Sequence, residues 1–283
     1  MIQRTAKMEE VAQAAVLKAG EVIREAIGNG AMFGVEHKGP SDYVTDVDRK
    51  SEALIIGMIR EHFPDHHIMA EESAKIALQP GFTWIIDPLD GTTNFIHGFP
   101  FVAISVALYL DREPLLGFVL DPLRGELFSA RRGGGAYLNG KRIHISDVSK
   151  LEYALIATGF PFRSKAVLDP YLATFKSIFE KVSGIRRAGA AALDLAYVAA
   201  GRVDGFWEVG LAPWDVAAGG LLIMEAGGYV DDFWGRGDYL GTGHIVAGNP
   251  AVHPFLKEEM RTFLASALEP VVKSGRVDSH GIK

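Results

Sequence analysis

Between Val102 and Ile145, the segments ISVALYL, PLLGFVL, GELFSA and GAYLN are short, rich in β-formers and separated by DREP, DPLRG and RRGGG. Breaks this short leave no room for crossover helices, so consecutive strands must be antiparallel neighbours in one meander. Asn139-Gly140 supplies a tight hairpin turn within it.

The flanks read differently. From Met8 to Ile27 the apolar residues Val11, Ala14, Ala15, Leu17, Val22, Ile23 and Ile27 recur at helical spacing, and Gly28-Asn29-Gly30 stops them. A second helix is expected after Thr45, which forms a capping-box pattern with Asp48 and leads into Ala53, Ile56, Met58 and Ile59. Phe82 to Ile86 reads as a strand. Beyond the meander the expected elements are helices over Asp169–Val182, Ala190–Ala200, Pro213–Ala226 and Pro250–Leu268, with strands over Gly205–Val209, Tyr229–Phe233 and His244–Ala247. The class is α+β. We expect an N-terminal lobe over 1–147 that carries the meander, a C-terminal α/β lobe over 148–268, and a loose polar tail over 269–283.

Composition narrows the chemistry. The 283 residues are 48% apolar with a net charge of -6, which gives no general attraction to polyanions. Zero cysteines exclude disulfides, thiolate metal sites and cysteine nucleophiles. The longest apolar run, FVAISVALYL, is too short to span a bilayer, and the N-terminus lacks a signal peptide's apolar stretch. A cytoplasmic protein with no membrane association is expected.

Carboxylates gather beside apolar structure at Asp42, Asp46 and Asp48, at Glu71 and Glu72, at Asp87 and Asp90 in WIIDPLDGTTNF, and at Asp215 in PWDVAAGG. Two such charges ~4 Å apart repel by roughly 4 kcal/mol at an effective dielectric of 20, so several meeting in one cleft require protons or cations. Hard oxygen donors without a cysteine or histidine set select Mg²⁺, with Mn²⁺ or Ca²⁺ as competitors. Gly91-Thr92-Thr93 lets the backbone approach a ligand and opens a short helix with free N–H groups, an arrangement suited to phosphate. Each acid also has an ordinary structural use: Asp48 as a cap, Asp90-Gly91 as a turn, Asp215 at a helix start, Glu71-Glu72 in a solvated loop.

DPLDGTTNF together with WDVAAGGLLIMEAGG resembles the paired signatures of the inositol monophosphatase family, and KGPSDYVTDVD, MAEES, TGFPFR and RRAGAAALDLAYVAAGRVDGFWEVG agree with it. The likeness runs from Val11 to about Leu268, nearest to the bacterial branch whose members include a transcription antitermination factor. It implies a layered α/β/α/β/α sandwich, usually dimeric and lithium-sensitive. The activity it implies is Mg²⁺-dependent hydrolysis of myo-inositol monophosphate by in-line attack of a metal-activated water. Glu71, Asp87 and the Leu89 carbonyl would hold one ion, Asp87, Asp90 and Asp215 a second, and Glu71 would assist a third. Gly91 and Thr92 would cradle phosphate, and Thr92 paired with Asp48 would activate water. Asp90, Gly189, Ala191, Glu208 and Asp215 would meet the polyol. Ala190 departs from the family, many of whose members carry Ser or Thr there.

Rival readings are a fructose 1,6-bisphosphatase or nucleotide phosphatase, with Arg163, Lys165, Arg186 and Arg187 supplying charge for a second phosphate. The ordinary use of those four is a solvated surface or dimer contact. In another class stands a binding role with RNA polymerase and antitermination factors. His66-His67 reads as a surface feature, because adjacent side chains point apart, and His97 as packing or hydrogen bonding behind the phosphate loop.

Overall fold

The computed structural model describes residues 2–28, 34–39, 42–73, 78–162 and 165–268, so the expected tail over 269–283 and Arg163 lie outside the described residues. Helix α1 (Ile2–Gly28) precedes a hairpin of β1 (Val35–Gly39) and β2 (Asp42–Thr45), then α2 (Asp46–His62). Strands β3 (His67–Ala70) and β4 (Phe82–Asp90) flank the site region, followed by the short α3 (Thr92–Ile96). The meander is β5 (Ala103–Leu110), β6 (Glu113–Asp121), β7 (Glu126–Arg131), β8 (Gly135–Leu138) and β9 (Lys141–Ile143). After it come β10 (Leu155–Thr158), α4 (Leu168–Phe179), β11 (Gly184–Arg186), α5 (Ala191–Ala199), β12 (Gly205–Val209) and α6 (Pro213–Glu225). The described chain closes with β13 (Tyr229–Asp231), α7 (Tyr239–Thr242), β14 (His244–Gly248), α8 (Val252–Phe263) and α9 (Ala265–Leu268).

A seven-stranded sheet runs β3 to β9 in sequence order, and a five-stranded sheet is ordered β11-β10-β12-β14-β13. Side-chain alternation along β4 divides the packing. Trp84 and Ile86 join Ala12, Ala15 and Val16 of α1 and Ile55 and Ile59 of α2, while Ile85 joins the opposite core. That second core sets α5 and α6, through Leu193, Leu195, Val216 and Leu222, between the two sheets and against Phe206, Ile245 and Ala247. On the far face of the five-stranded sheet, Ile156, Trp207 and Val246 pack on Tyr171 and Ile178 of α4 and on Leu256 and Met260 of α8. The result is the α+β sandwich, layered α/β/α/β/α.

Four local outcomes differ from the sequence reading. Strand β4 does not stop at Ile86 but continues through Pro88 to Asp90. The helix expected from Pro250 begins at Val252, where the Asn249 side chain accepts from the N–H groups of Ala251 and Val252 at 3.0 and 2.8 Å, and α9 follows it as a separate turn. His66 is no surface feature: its ring stacks between Phe63 and Phe82, at 4.9 and 4.6 Å, and its Nδ1 accepts from Trp84 Nε1 at 3.1 Å. His97 is exposed rather than packed.

Candidate active site

The path of β4 brings its two acids together. Against β5, Asp87 pairs with Ser105 and Asp90 with Ala103, so β4 holds one residue more than its partner over this stretch. That is a bulge, the place in a sheet where Pro88 is tolerated. In a regular strand residues three apart face opposite sides; the extra residue lets Asp87 and Asp90 line the same cavity. The Pro88 carbonyl accepts from the buried Ser51 hydroxyl of α2 at 2.8 Å, and Leu89 N–H donates to Asp87 Oδ1 at 3.0 Å.

Other layers supply the remaining acids. Glu71 continues from β3, with its N–H on the Ile86 carbonyl at 3.2 Å, and the next N–H, of Glu72, donates to buried Glu52 of α2 at 2.8 Å. Asp215 stands in the first turn of α6, where its Oδ2 accepts from Ala212 N–H at 2.8 Å. Ser105 ties that turn to β5 through the Trp214 carbonyl at 3.0 Å. Asp90 Oδ2 accepts from Ala192 N–H of α5 at 2.7 Å. Ala190, the residue before α5, is buried and offers no side-chain cap.

Thr45 caps α2 as expected: Asp48 accepts from Thr45 N–H at 2.9 Å and from the Thr45 hydroxyl, whose oxygen in turn faces the N–H groups of Val47 and Asp48. The cap also holds Asp48, fully buried, toward the site, where the Thr92 hydroxyl lies 3.1 Å from both Asp48 Oδ1 and the Leu89 carbonyl. Gly91 precedes α3 at φ 90°, and a Cβ there would stand 3.0 Å from the Phe101 carbonyl, so both backbone angle and space call for glycine. Asn94 anchors the turn by donating to the carbonyls of Phe101 and Ala188 at 2.8 and 2.9 Å.

Glu71, Asp87, Leu89, Asp90, Gly91, Thr92, Gly189, Ala191, Glu208 and Asp215 all line one cavity of about 300 Å³, and Asp48 stands behind it through Thr92. Among the described residues, five carboxylates there face one guanidinium, that of Arg187. Burial, then the charges of Glu71, Asp90 and Asp215, hold the Asp87 carboxyl well above the usual carboxylate range. Burial and then Asp215 do the same to Asp90. Burial also raises Asp48, against the hydrogen bonds from Thr45 and Thr92. As placed, no three Asp, Glu or His side chains among the described residues form a ready coordination group. Asp87, Asp90 and Asp215 each commit an oxygen to a backbone N–H. The donor chemistry nevertheless fits a hard divalent cation: all oxygen, crowded, and mutually repelling until neutralised.

Sequence reasoning missed Glu52 and Asp194, buried acids whose motif spacing carries no signal, and the aromatic rim. Arg187 is not merely a surface residue; it lines the cavity with its guanidinium 5.6 and 5.0 Å from the rings of Phe160 and Phe162. Arg186 does not line it.

The profile of the Inositol monophosphatase family matches residues 4–271. The chain is 48% identical over 267 residues to the Nus factor SuhB of Pseudomonas aeruginosa, covering 93% of this chain and 98% of that protein. It is 41% identical over 264 residues to the inositol-1-monophosphatase of Mesorhizobium japonicum, covering 93% and 99% of the two. The crystal structure of the extragenic suppressor protein suhB from Bartonella henselae is similar at a TM-score of 0.86 and 42% identity, over 90% of this chain and 98% of that one. With sequence and layered architecture matched over nearly their whole length, the chain belongs to the inositol monophosphatase family.

Proposed function

We propose that the protein is a Mg²⁺-dependent phosphomonoesterase that releases phosphate from myo-inositol monophosphate. The observation that carries this reading is the cavity itself, where five carboxylates adjoin the Gly91-Thr92 turn and the Thr92–Asp48 hydrogen bond. Glu71, Asp87, the Leu89 carbonyl, Asp90 and Asp215 would hold the cations. When bound, these neutralise the transferring phosphoryl group and lower the pKa of water.

The chain's own groups then have separate tasks. Backbone N–H groups at Gly91 and Thr92 bind phosphate oxygens. Thr92 takes a proton from the attacking water as it passes its own hydroxyl proton to Asp48 Oδ1, 3.1 Å away, and stays a neutral alcohol. The raised pKa of Asp48 suits it to take that proton. The water oxygen bonds to phosphorus in line with the departing ester oxygen, which leaves with its bonding pair and is protonated by solvent. Gly189, Ala191 and Glu208, with Asp90 and Asp215, meet the polyol hydroxyls.

Phosphate release from inositol 1-phosphate with Mg²⁺, beside fructose 1,6-bisphosphate and adenosine 3',5'-bisphosphate, tests the substrate class. Thr92→Val should lower kcat by about 100-fold or more, the usual worth of a positioned proton relay. Turnover near wild type would sink the mechanism.

The 48% identity to a Nus factor supports a second role, binding to RNA polymerase or antitermination factors. Binding of those proteins by a hydrolysis-dead Asp87→Asn variant would separate the roles, whereas no binding by the wild type removes the second. Among the described residues no helix is long and apolar enough to cross a membrane.

A further inference from the structure

Strand β10 ends beside the leaving-group side of the cavity. It runs parallel to β12 with Ala157 opposite Phe206 and Thr158 opposite Trp207, which brings Gly159 alongside Glu208. Gly159 is buried, and its φ lies outside the left-handed region, so the backbone there admits any residue. What demands glycine is space. A Cβ at Gly159 would stand 2.0 Å from both the carboxyl carbon and Oε1 of Glu208 and 2.2 Å from Oε2, the closest approach at any described glycine. The Glu208 carboxylate therefore occupies the volume that a side chain at position 159 would fill. Of the residues assigned to the polyol, Glu208 has the longest and most mobile arm, so its placement needs an external constraint.

We propose that Gly159 is a specificity-positioning residue: its missing side chain seats the Glu208 carboxylate where it accepts hydrogen bonds from the hydroxyls of a polyol leaving group. This rests on the polyol phosphatase reading. Gly159→Ala obliges the carboxylate to move, and because the obstructed atoms are the far end of a flexible side chain rather than backbone, the fold accommodates the change. A leaving group with ring hydroxyls loses its acceptor, and one without them loses nothing at that end.

The test compares kcat/KM for inositol 1-phosphate with that for 4-nitrophenyl phosphate, in the full-length protein with Mg²⁺. In Gly159→Ala the ratio of the first to the second should fall about 10- to 100-fold, the range for a lost hydrogen bond to a charged group. In a Glu208→Ala background the same change at Gly159 should leave the ratio where Glu208→Ala alone puts it, a non-additivity that general damage to the fold does not produce. An unchanged ratio in Gly159→Ala, or additive losses, overturns this inference alone. A wild-type protein that hydrolyses neither ester overturns the phosphatase reading and this inference with it. Should Gly159→Ala fail to fold, a folded Gly159→Ala/Glu208→Ala protein confirms the competition for space, and an unfolded one refutes it.

Discussion

Asp87→Asn should melt above wild type without Mg²⁺ and lose most or all of that advantage when Mg²⁺ is saturating. Asp87 is 1% exposed, and its carboxyl is pushed up first by burial and then by Glu71, Asp90 and Asp215. One like charge ~5 Å away costs about 3 kcal/mol at an effective dielectric of 20, and partial protonation relieves part of that. An amide of the same shape removes the repulsion and keeps an oxygen to accept the Leu89 N–H. A net gain of about 1–3 kcal/mol follows in chelator, or roughly 2–6 °C in Tm for a chain somewhat above 250 residues. Saturating Mg²⁺ at 100 times its Kd stabilises the wild type by about 2.7 kcal/mol. The variant, lacking the carboxylate assigned to two ions, should gain little. Thermal melts of both proteins in EDTA and across a Mg²⁺ titration read this directly. If the variant melts below wild type in EDTA, or shows the same Mg²⁺-dependent rise, the four-acid electrostatics described above is wrong.

Two further outcomes follow from buried acids to which the sequence reading gave no role. Glu52→Ala removes the acceptor for the Glu72 N–H and should cost about 1.5–3 kcal/mol in urea unfolding while raising the Mg²⁺ concentration for half-maximal turnover; Glu52→Gln should recover most of both. An unchanged Mg²⁺ requirement in Glu52→Ala would dissociate Glu52 from the placing of Glu71. The Asp194 carboxyl is held well above its usual range by burial and then by Glu208, against Arg187. Because its folded pKa is raised, its contribution is most favourable below the unfolded value of ~3.9 and is lost as pH rises through the folded one. Asp194→Asn should therefore show no Tm advantage near pH 4 and a growing one toward pH 8 in EDTA; an offset independent of pH would contradict this.

What the sequence made legible was local. The meander from β5 to β9 announces itself through turn residues between β-forming runs, and the cap of α2 through Thr45 and Asp48 three apart. Strands β3, β10 and β11 escaped because three or four residues are too few to display a period. Pro88 suggested an end to β4, since the sequence does not reveal that a bulge will receive it. The acids could be picked out individually, but their meeting could not: Asp48, Glu71, Asp87 and Asp215 come from different elements, and it was the family resemblance that grouped them. Glu52 lay outside every motif, and Asp194 and Gly159 stood inside quoted motifs without a role, because each matters through a partner that only folding brings near.

The hydrogen bonds of the three aspartates explain how a stable fold carries so much like charge. Asp87 binds the N–H of Leu89, Asp90 that of Ala192, and Asp215 that of Ala212, at 3.0, 2.7 and 2.8 Å. Each bond fixes a rotamer and partly offsets desolvation of the anion. The anchoring N–H groups belong to the bulge of β4 and to the starts of α5 and α6, elements whose apolar faces fill the core between the sheets. Rigidity of the acids is thus inherited from hydrophobic packing rather than from one another. It follows that neutralising one acid relieves the others without loosening them, which is why an amide at position 87 is expected to stabilise the protein even as it disables the site.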